Sequence, residues 1–340
     1  MPNWITGKYF GQGDFSQRAD DILSQVKKET GFIMEKELFR GTIYDEAKVG
    51  SLVYVGKWQG KTAVLKLQGL KPDIDEFEMV KSFMEQNKSN RIRVPKTYIF
   101  QRWEETRGYG FSISEYIDDK KIYTRPFATK EDMRRFADFF QEYRTKAISL
   151  PWFESDVSDS LTLTKKRVEH WKNISEDKKR LDKDEYVPYY NKYISIINEQ
   201  LPSVPLVFCH GHMTPQDVLI APDGYYIMLS NLFWSYRPQW YELAFNVWSC
   251  LINIRDTSYT SHQAKKYINE WMKTYRAIPS VQEDNDFERK INVAFLERMI
   301  GAILVDIGAR SIFDDPENKQ YYSHLLKLHQ GLFEYFVKKL

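Results

Sequence analysis

The sequence has little cysteine and little net charge. Cys209 and Cys250 are the only cysteines among 340 residues, and both lie in apolar surroundings. A disulfide framework is therefore not expected, and both thiols should be buried in a reducing compartment. The cysteines and histidines lack the spacing of a metal-ligand set. A net charge of +2 does not supply the basic stripe of a nucleic-acid-binding protein.

Long apolar runs are also missing. No stretch approaches the roughly eighteen apolar residues that a membrane span requires, and Met1–Lys8 lacks the charged and then apolar pattern of a signal peptide. We therefore expect a cytoplasmic protein with neither a membrane nor a nucleic acid as its partner. With 42% hydrophobic and 28% charged residues, the chain has an ordinary globular composition, and its length allows one bilobed unit or two domains.

The most informative stretch is a polar loop followed by a hairpin. The apolar run Leu206–Cys209 precedes the polar loop His210–Asp217, and a second apolar run, Val218–Ile220, follows it. A Pro-Asp-Gly turn at 222–224 leads into a third run, Tyr225–Leu229. Proline presets φ and glycine accepts a positive φ, so the second and third runs are predicted to pair as short strands.

This layout resembles the catalytic segment of the aminoglycoside phosphotransferase and choline kinase family, which shares the protein-kinase fold. That family carries H-G-D-x-x-x-x-N, a hairpin, an Asp and then D-L-A. His210 matches the first histidine, but His212 stands at the catalytic Asp. Asp217 stands at the metal-binding Asn, and Ser230 at the second metal-binding Asp. Glu242 replaces the Asp of D-L-A. The resemblance therefore implies a kinase scaffold with degenerate catalytic motifs.

The residues before this segment resemble the small lobe of such kinases. Helical spacing predicts a lead-in helix over 14–30, and β-rich runs follow at Leu38–Ile43, Ser51–Lys57 and Thr62–Leu67. The last run contains A-V-L-K, which resembles the kinase V-A-I-K motif and makes Lys66 the candidate phosphate-pairing lysine. The alternative is a surface lysine on a strand.

A helix predicted over Asp73–Asn87 supplies candidate partners for that lysine. Glu76 points the same way as the apolar face of the helix, so we expect it to pair with Lys66. Glu78 is the second choice, and either glutamate could instead be a solvated helix acid.

The nucleotide loop that the resemblance implies lacks its glycines. If Val53 takes the valine of the motif, the three glycine positions fall on Glu46, Lys48 and Ser51. Glycines let backbone N–H groups approach phosphates, and a carboxylate at position 46 would repel them. Ser51 is kept as a candidate cofactor contact.

The hinge and the large lobe complete the resemblance. Strands are predicted over Thr97–Arg102 and Gly110–Ile117, and Glu115 and Tyr116 would present backbone groups to an adenine. From Thr129 the pattern turns helical. Further helices are predicted over 162–178, 186–200, 243–254, 262–275, 286–312 and 320–340. The resemblance thus implies an α+β, bilobed protein-kinase-like fold, with a β-rich N-lobe over 1–117 and a mainly helical C-lobe over 118–340 that holds the catalytic-loop hairpin at 206–234.

The altered positions decide the functional expectation. His212 can accept a proton near neutral pH, but it is not the fixed negative charge of an Asp, and the alternative is a structural loop histidine. Asp217 suits a cation, whereas the Ser230 hydroxyl is a weak neutral ligand. Loss of one charge-stabilising group typically costs about 10²–10³ in rate. His210 should keep a backbone hydrogen bond that shapes the loop, and Glu242 should accept N–H groups at the start of the next helix.

Three hypotheses remain open. The first is a pseudokinase that binds a small molecule, a nucleotide or a protein partner, with ATP and Mg²⁺ possible but not required. The second is an active ATP-dependent small-molecule phosphotransferase that uses His212 as its base. The third is a helical protein with a chance H-G-x-x-x-P loop. Four aromatic residues after the loop are open to two interpretations, core or pocket lining: Trp234, Tyr236, Trp240 and Trp248.

Overall fold

The N-terminal part of the chain is built on one antiparallel sheet. The computed structural model describes residues 18–43, 45–69, 71, 75–118, 120–147, 159–310 and 315–340. Its first elements are α1 (Ala19–Thr30), β1 (Ile33–Ile43), β2 (Asp45–Trp58), β3 (Lys61–Gln68), α2 (Glu76–Gln86), β4 (Ile92–Arg93), β5 (Thr97–Gln101) and β6 (Gly110–Glu115). The five-stranded sheet has the order β1-β2-β3-β6-β5.

The alternation of β3 shows why this sheet forms. Ala63, Leu65 and Leu67 are buried on one face, as the two-residue period of a strand requires. They belong to one apolar cluster with Ile22 and Val26 of α1. The strands predicted from the β-rich runs are therefore confirmed, and β1 begins five residues earlier than predicted.

The second part of the chain is mainly helical. Its elements are β7 (Lys120–Lys121), α3 (Lys130–Glu142), α4 (Ser160–Lys178), α5 (Lys183–Gln200), β8 (Leu206–His210), β9 (Val218–Ile220), β10 (Tyr226–Met228), β11 (Trp234–Pro238), α6 (Tyr241–Leu251), α7 (Ser261–Arg276), α8 (Pro279–Gln282), α9 (Phe287–Gly301) and α10 (Lys319–Val337). The predicted helices are confirmed, although residues 14–17, 73–74 and 311–312 of three of those predictions lie outside the described residues.

Helix α3 begins where its capping sequence predicts. The Thr129 hydroxyl accepts the Asp132 backbone N–H, and the Asp132 carboxylate accepts the Thr129 N–H, which completes a capping box. The buried face of α3 ends at Tyr143, where a π-helical turn runs over Tyr143–Ala147. This turn places the Tyr143 hydroxyl beneath the loop that follows β8.

Two helices form the centre of the large lobe. Every residue of α6 is buried, and α9 is buried over almost its whole length before a π-helical segment at Ala302–Ile307. A helix that is apolar on all sides belongs inside a large core. Within the described residues, no helix combines the length and the apolar character needed to cross a membrane.

A second sheet ties the two parts of the chain together. Its order is β4-β10-β9-β7, and β4 pairs in parallel with β10. Beside this junction, the Arg93 guanidinium donates to Glu115 at 2.6 and 3.1 Å and lies 3.7 Å from the Asp223 carboxylate. The β-rich first part and the helical second part confirm the predicted bilobed α+β architecture, while the division at residue 117 stays a prediction.

We expect the buried ion pair between α4 and α9 to carry much of the stability of the large lobe. Arg167 Nε donates to Glu297 Oε1 at 2.7 Å, and both side chains are at most 3% exposed. Glu297→Gln should lower the free energy of unfolding by about 3–5 kcal/mol, because it leaves a buried charge without its counter-ion. Urea titration measures this loss.

An exposed ion pair provides the control. Lys192 and Glu334 lie 2.7 Å apart with more than 40% of each side chain exposed, so Glu334→Gln should cost at most about 1 kcal/mol. Equal losses in the two variants would contradict the prediction.

Candidate functional site

The polar loop lies between two pairs of strands. Strand β8 pairs antiparallel with β11, and β9 pairs antiparallel with β10, with Ile220 opposite Tyr226. The predicted hairpin is therefore confirmed. Residues 211–217 connect β8 to β9, and residues 229–233 connect β10 to β11, so the two connections meet at one edge.

His210 fixes the two connections against each other. Its Nε2 lies 2.9 Å from the Leu229 carbonyl oxygen, and its backbone N–H donates to the Tyr143 hydroxyl at 2.9 Å. Burial lowers the pKa of His210, so the neutral ring donates from Nε2 to the carbonyl. The backbone hydrogen bond expected of this histidine is present, and it holds the residue directly before Ser230.

Asp217 is the centre of the hydrogen-bonding network. Its Oδ2 accepts the Thr214 hydroxyl at 2.6 Å, the Thr214 backbone N–H at 3.1 Å and His212 Nδ1 at 3.1 Å. Its Oδ1 accepts the Ser230 hydroxyl. Burial by itself raises the pKa of Asp217, but the attraction of His212 and these hydrogen bonds outweigh it and lower the pKa to about 2. The carboxylate is therefore ionised, and both of its oxygens accept hydrogen bonds from the protein.

The residues at the two predicted metal positions are hydrogen-bonded to each other. Three of the four donors to Asp217 converge on Oδ2, whereas Oδ1 receives only the Ser230 hydroxyl and keeps a second acceptor site. Ser230 spends its hydroxyl hydrogen on the same carboxylate. Mg²⁺ requires free oxygen ligands in near-octahedral geometry. Among the residues that the structure describes, no three His, Cys, Asp or Glu side chains lie together as a metal site would need.

His212, at the position predicted for the catalytic Asp, is hydrogen-bonded to Asp217. Because an ionised carboxylate only accepts hydrogen bonds, Nδ1 of His212 carries a hydrogen. The ring stacks on Phe233 with centroids 4.5 Å apart and packs at 4.9 Å against Phe245. The side chain remains 39% exposed.

Ser230 has a left-handed backbone. Its φ of 56° and ψ of 40° are uncommon for a residue other than glycine, and this turn aims its hydroxyl at Asp217. Asn231 follows in a 3₁₀ turn rather than in the extended segment considered from the sequence. Its side chain is buried and donates to the Met228 carbonyl oxygen at 3.1 Å, so it cannot replace the missing metal ligand.

Lys66 and Glu76 form the predicted ion pair. Lys66 Nζ contacts Glu76 Oε2, and Glu76 Oε1 accepts the Asn231 backbone N–H at 3.0 Å. Glu78, the second choice, instead contacts the exposed Arg102. Strand β3, helix α2 and the turn after Ser230 are thus joined through one carboxylate, whereas a phosphate-binding role for Lys66 stays a prediction.

The predicted adenine contacts are only partly available. The Glu115 backbone N–H donates to the Lys96 carbonyl oxygen at 2.8 Å, and its side chain binds Arg93. We expected backbone groups of Glu115 to face an adenine, but its N–H is bonded within the protein. Tyr116 follows the end of β6 and is 37% exposed, and its role at a hinge stays a prediction.

The predicted nucleotide loop is a strand. Ser51 lies within β2, opposite Gly41 of β1 and Gln68 of β3, so its backbone faces partner strands on both sides instead of forming a loop. The backbones of Glu46 and Lys48 also belong to β2, while their side chains lie outside the described set. Ser51 as a cofactor contact stays a prediction.

Glu242 lies at the start of the helix that follows the loop, as expected, and makes further contacts that were not predicted. It is fully buried in the first turn of α6, whose N-cap residue is Trp240. Its carboxyl lies 3.5 Å from the Tyr143 hydroxyl and interacts with the Cys209 thiol and with its own backbone amide. Burial raises the pKa of Glu242. The carboxyl therefore links α3, β8 and α6 rather than capping a row of N–H groups.

Several residues of the site were not found from the sequence. Thr214, three residues before Asp217, holds its carboxylate, and the T-x-x-D spacing of a local hydrogen-bonded turn is the signal that could have found it. Phe233 and Phe245 flank His212. Asp306, on the π-helical segment, forms an ion pair with Arg298 at 3.1 Å and is close enough to His212 to interact with it electrostatically. No pattern in the sequence indicates this residue.

The aromatic residues that were open to two interpretations are core. Trp234, Trp240 and Trp248 are at most 5% exposed, and Tyr236 packs against the same cluster. The Arg298 guanidinium lies 3.7 Å from the centroid of the Trp248 ring. These rings support the loop from below.

We expect Asp217 to stabilise the fold in a pH-dependent way. Its folded-state pKa of about 2 lies below its ordinary value of 3.8, so its contribution is full above about pH 4 and is lost as the pH falls toward about 2. Asp217→Asn should therefore cost about 2 kcal/mol at pH 7, and about half of that at pH 3.

Urea titrations of both proteins at pH 7, 4 and 3 measure this difference. Asp177→Asn is the control, since that aspartate is exposed on α4 and should show little effect. A difference between wild type and Asp217→Asn that does not narrow at low pH would contradict the prediction.

Comparison with known proteins was informative only at the level of structure. No protein-family model matches the chain, and no curated protein sequence matches it. A thermostable mutant of aminoglycoside phosphotransferase APH(4)-Ia, in a ternary complex with ADP and hygromycin B, is 11% identical with a TM-score of 0.58, covering 91% of this chain and 97% of that one.

Two further solved structures are similar over nearly their whole length. Plasmodium vivax ethanolamine kinase is 14% identical with a TM-score of 0.60, covering 95% of this chain and 87% of that one. Spectinomycin phosphotransferase APH(9)-Ia, in complex with ADP and spectinomycin, is 11% identical with a TM-score of 0.51, covering 92% and 97%. The chain therefore has the protein-kinase-like fold of the aminoglycoside phosphotransferases and ethanolamine kinase.

Proposed function

We propose that this protein is a pseudokinase, which binds a nucleotide, another small molecule or a protein partner without transferring phosphate. The observation that carries the proposal is the hydrogen bond between Ser230 and Asp217, which joins the two positions where metal ligands would be needed. Phosphoryl transfer depends on positioning and on metal ions that neutralise charge on the phosphates. Asp217 would have to give up its bonds to Ser230 or to the loop to take that role.

The third altered position supports the same conclusion. His212 gives its Nδ1 hydrogen to Asp217 and is stacked on Phe233. It supplies no fixed negative charge to orient an attacking hydroxyl. The hydrogen bonds of Asp217 with His212 and Ser230 thus stabilise the loop where a kinase would place its base and metal ligands.

Nucleotide binding without transfer is consistent with what remains. The Lys66–Glu76 pair is in place and is linked to the Asn231 backbone. Two of the similar structures are complexes with ADP. Cys209 and Cys250 are free and buried, which suits a protein of the reducing cytoplasm.

A second candidate function rests on the His212–Asp217 pair. A carboxylate on Nδ1 orients an imidazole so that Nε2 can act as a general base. An active phosphotransferase with a non-standard site would use Nε2 to take the proton of an acceptor hydroxyl. This candidate lacks a place for Mg²⁺ in the described residues, which is why we favour the first.

The direct test is an assay of phosphoryl transfer. Wild-type protein with Mg²⁺ and γ-labelled ATP should give no labelled product above a protein-free control with hygromycin B, spectinomycin or ethanolamine. The acceptors are chosen from the names of the similar structures. Labelled acceptor formed in proportion to the ATP consumed would overturn the pseudokinase proposal.

If transfer is detected, two single variants test the second candidate. His212→Gln should lower kcat by about 10²–10⁴, because it removes the base, and Asp217→Asn should lower kcat because it releases the imidazole from its orientation. Glu334→Gln, on the exposed surface of α10, is the control. Unchanged turnover in both site variants would exclude these roles.

A further inference from the structure

Arg125 is a partly covered cation that has no partner among the residues that the structure describes. Within the described part of the chain it has no hydrogen bond, ion pair or ring contact, although its side chain is partly covered. Burial lowers the pKa of Arg125, because the low-dielectric surroundings disfavour its charge. A charge that loses water without gaining a protein partner is costly, so its position calls for an explanation.

Three other arginines of the large lobe, two buried and one partly covered, have carboxylate partners. Arg167 binds Glu297 at 2.7 Å, and Arg298 binds Asp306 at 3.1 Å. Arg289 pairs with Asp286. Lack of a partner is therefore a particular property of Arg125 and not the general condition of arginines in this fold.

Two anchors fix the segment that carries Arg125. The Ile122 backbone N–H donates to the Val218 carbonyl oxygen at 3.0 Å, directly after Asp217. The Tyr123 hydroxyl donates to Asn246 Oδ1 of α6 at 2.7 Å. Arg125 follows two residues later and is therefore held beside the loop and the start of β9.

The charge of Asp217 reaches Arg125. Besides its desolvation, Arg125 experiences the electrostatic influence of Cys250, Asp217 and Tyr123. It nevertheless makes no ion pair with Asp217, whose oxygens accept hydrogen bonds from His212, Thr214 and Ser230. The guanidinium thus lies near the degenerate metal positions with its donors uncommitted among the described residues.

We propose that Arg125 binds the phosphate chain of a nucleoside diphosphate or triphosphate directly, in place of the metal ion that Asp217 and Ser230 cannot hold. The proposal rests on the nucleotide binding that the proposed function includes. A guanidinium presents five N–H donors in a planar fork that matches a phosphate and stays charged at any physiological pH. Lys66 would supply a second cation from β3, so the ligand should bind without Mg²⁺.

The test compares ligands that differ only in their phosphates. Isothermal titration in EDTA with adenosine, ADP and ATP measures what the phosphate chain contributes in the absence of metal. Wild type should bind ADP and ATP more tightly than adenosine. Arg125→Gln should weaken ADP and ATP binding by about 10- to 100-fold, the effect of losing a charged hydrogen-bonding group, and should leave adenosine unchanged.

Two further variants make the result specific. Arg125→Lys keeps the charge without the planar fork and should recover part of the affinity for ATP. Arg134→Gln removes the same charge from a side chain that is 73% exposed on α3, so it controls for net charge and should change no affinity. A weaker ATP affinity in Arg134→Gln equal to that in Arg125→Gln would overturn the proposal.

The remaining outcomes separate this proposal from the proposed function. If wild type binds ATP in EDTA but Arg125→Gln binds it equally well, Arg125 is not the phosphate ligand and nucleotide binding still stands. If Arg125→Gln weakens adenosine as much as ATP, its role is structural and the proposal fails. If wild type binds ATP only with Mg²⁺, metal replacement is wrong. If no nucleotide binds under either condition, the nucleotide-binding part of the proposed function fails as well.

Discussion

The buried Asp217 carboxylate is the constraint on which this site depends. An ionised group without water must find hydrogen-bond donors, and Asp217 takes them from His212, Thr214 and Ser230. Each of those donors is held in place in return. The carboxylate orients the His212 ring and closes the turn at Thr214, and Ser230 keeps a left-handed backbone conformation. The same contacts that hold the loop together occupy both oxygens of the carboxylate at the position predicted to bind a metal.

The rest of the scaffold keeps the geometry in which such a loop lies. His210 ties the loop to Leu229, and Glu76 joins Lys66 of β3 to the backbone after Ser230. The bond from Asn231 to Glu76 crosses between the β-rich and the helical parts of the chain. The chain therefore keeps a protein-kinase-like fold, and in the proposals made above the loop contacts are structural and Arg125 supplies a positive charge in place of a metal ion.

Much of the fold could be predicted because it follows local patterns. The turn at 222–224 determines a hairpin, the alternation of β3 gives a buried face, and Thr129 with Asp132 caps a helix. The altered loop could also be located, because its spacing survives the change of residues. That Ser51 lies inside a paired strand could not be read from the resemblance, because strand pairing depends on β1 and β3 on either side. The contacts of Glu242 with α3 and β8 were not predicted, because they join residues far apart in the sequence.

The sequence alone determined the order of helices and strands and the residue types at positions 212, 217 and 230. Only the tertiary structure decided that Ser230 turns its hydroxyl toward Asp217 and that Arg125 stands beside them without a partner in the described chain. The physical reason is the distance along the chain over which each kind of interaction acts. Propensities and turn residues act over a few neighbouring positions, whereas these contacts require a left-handed backbone and segments from three parts of the chain to meet in one buried place.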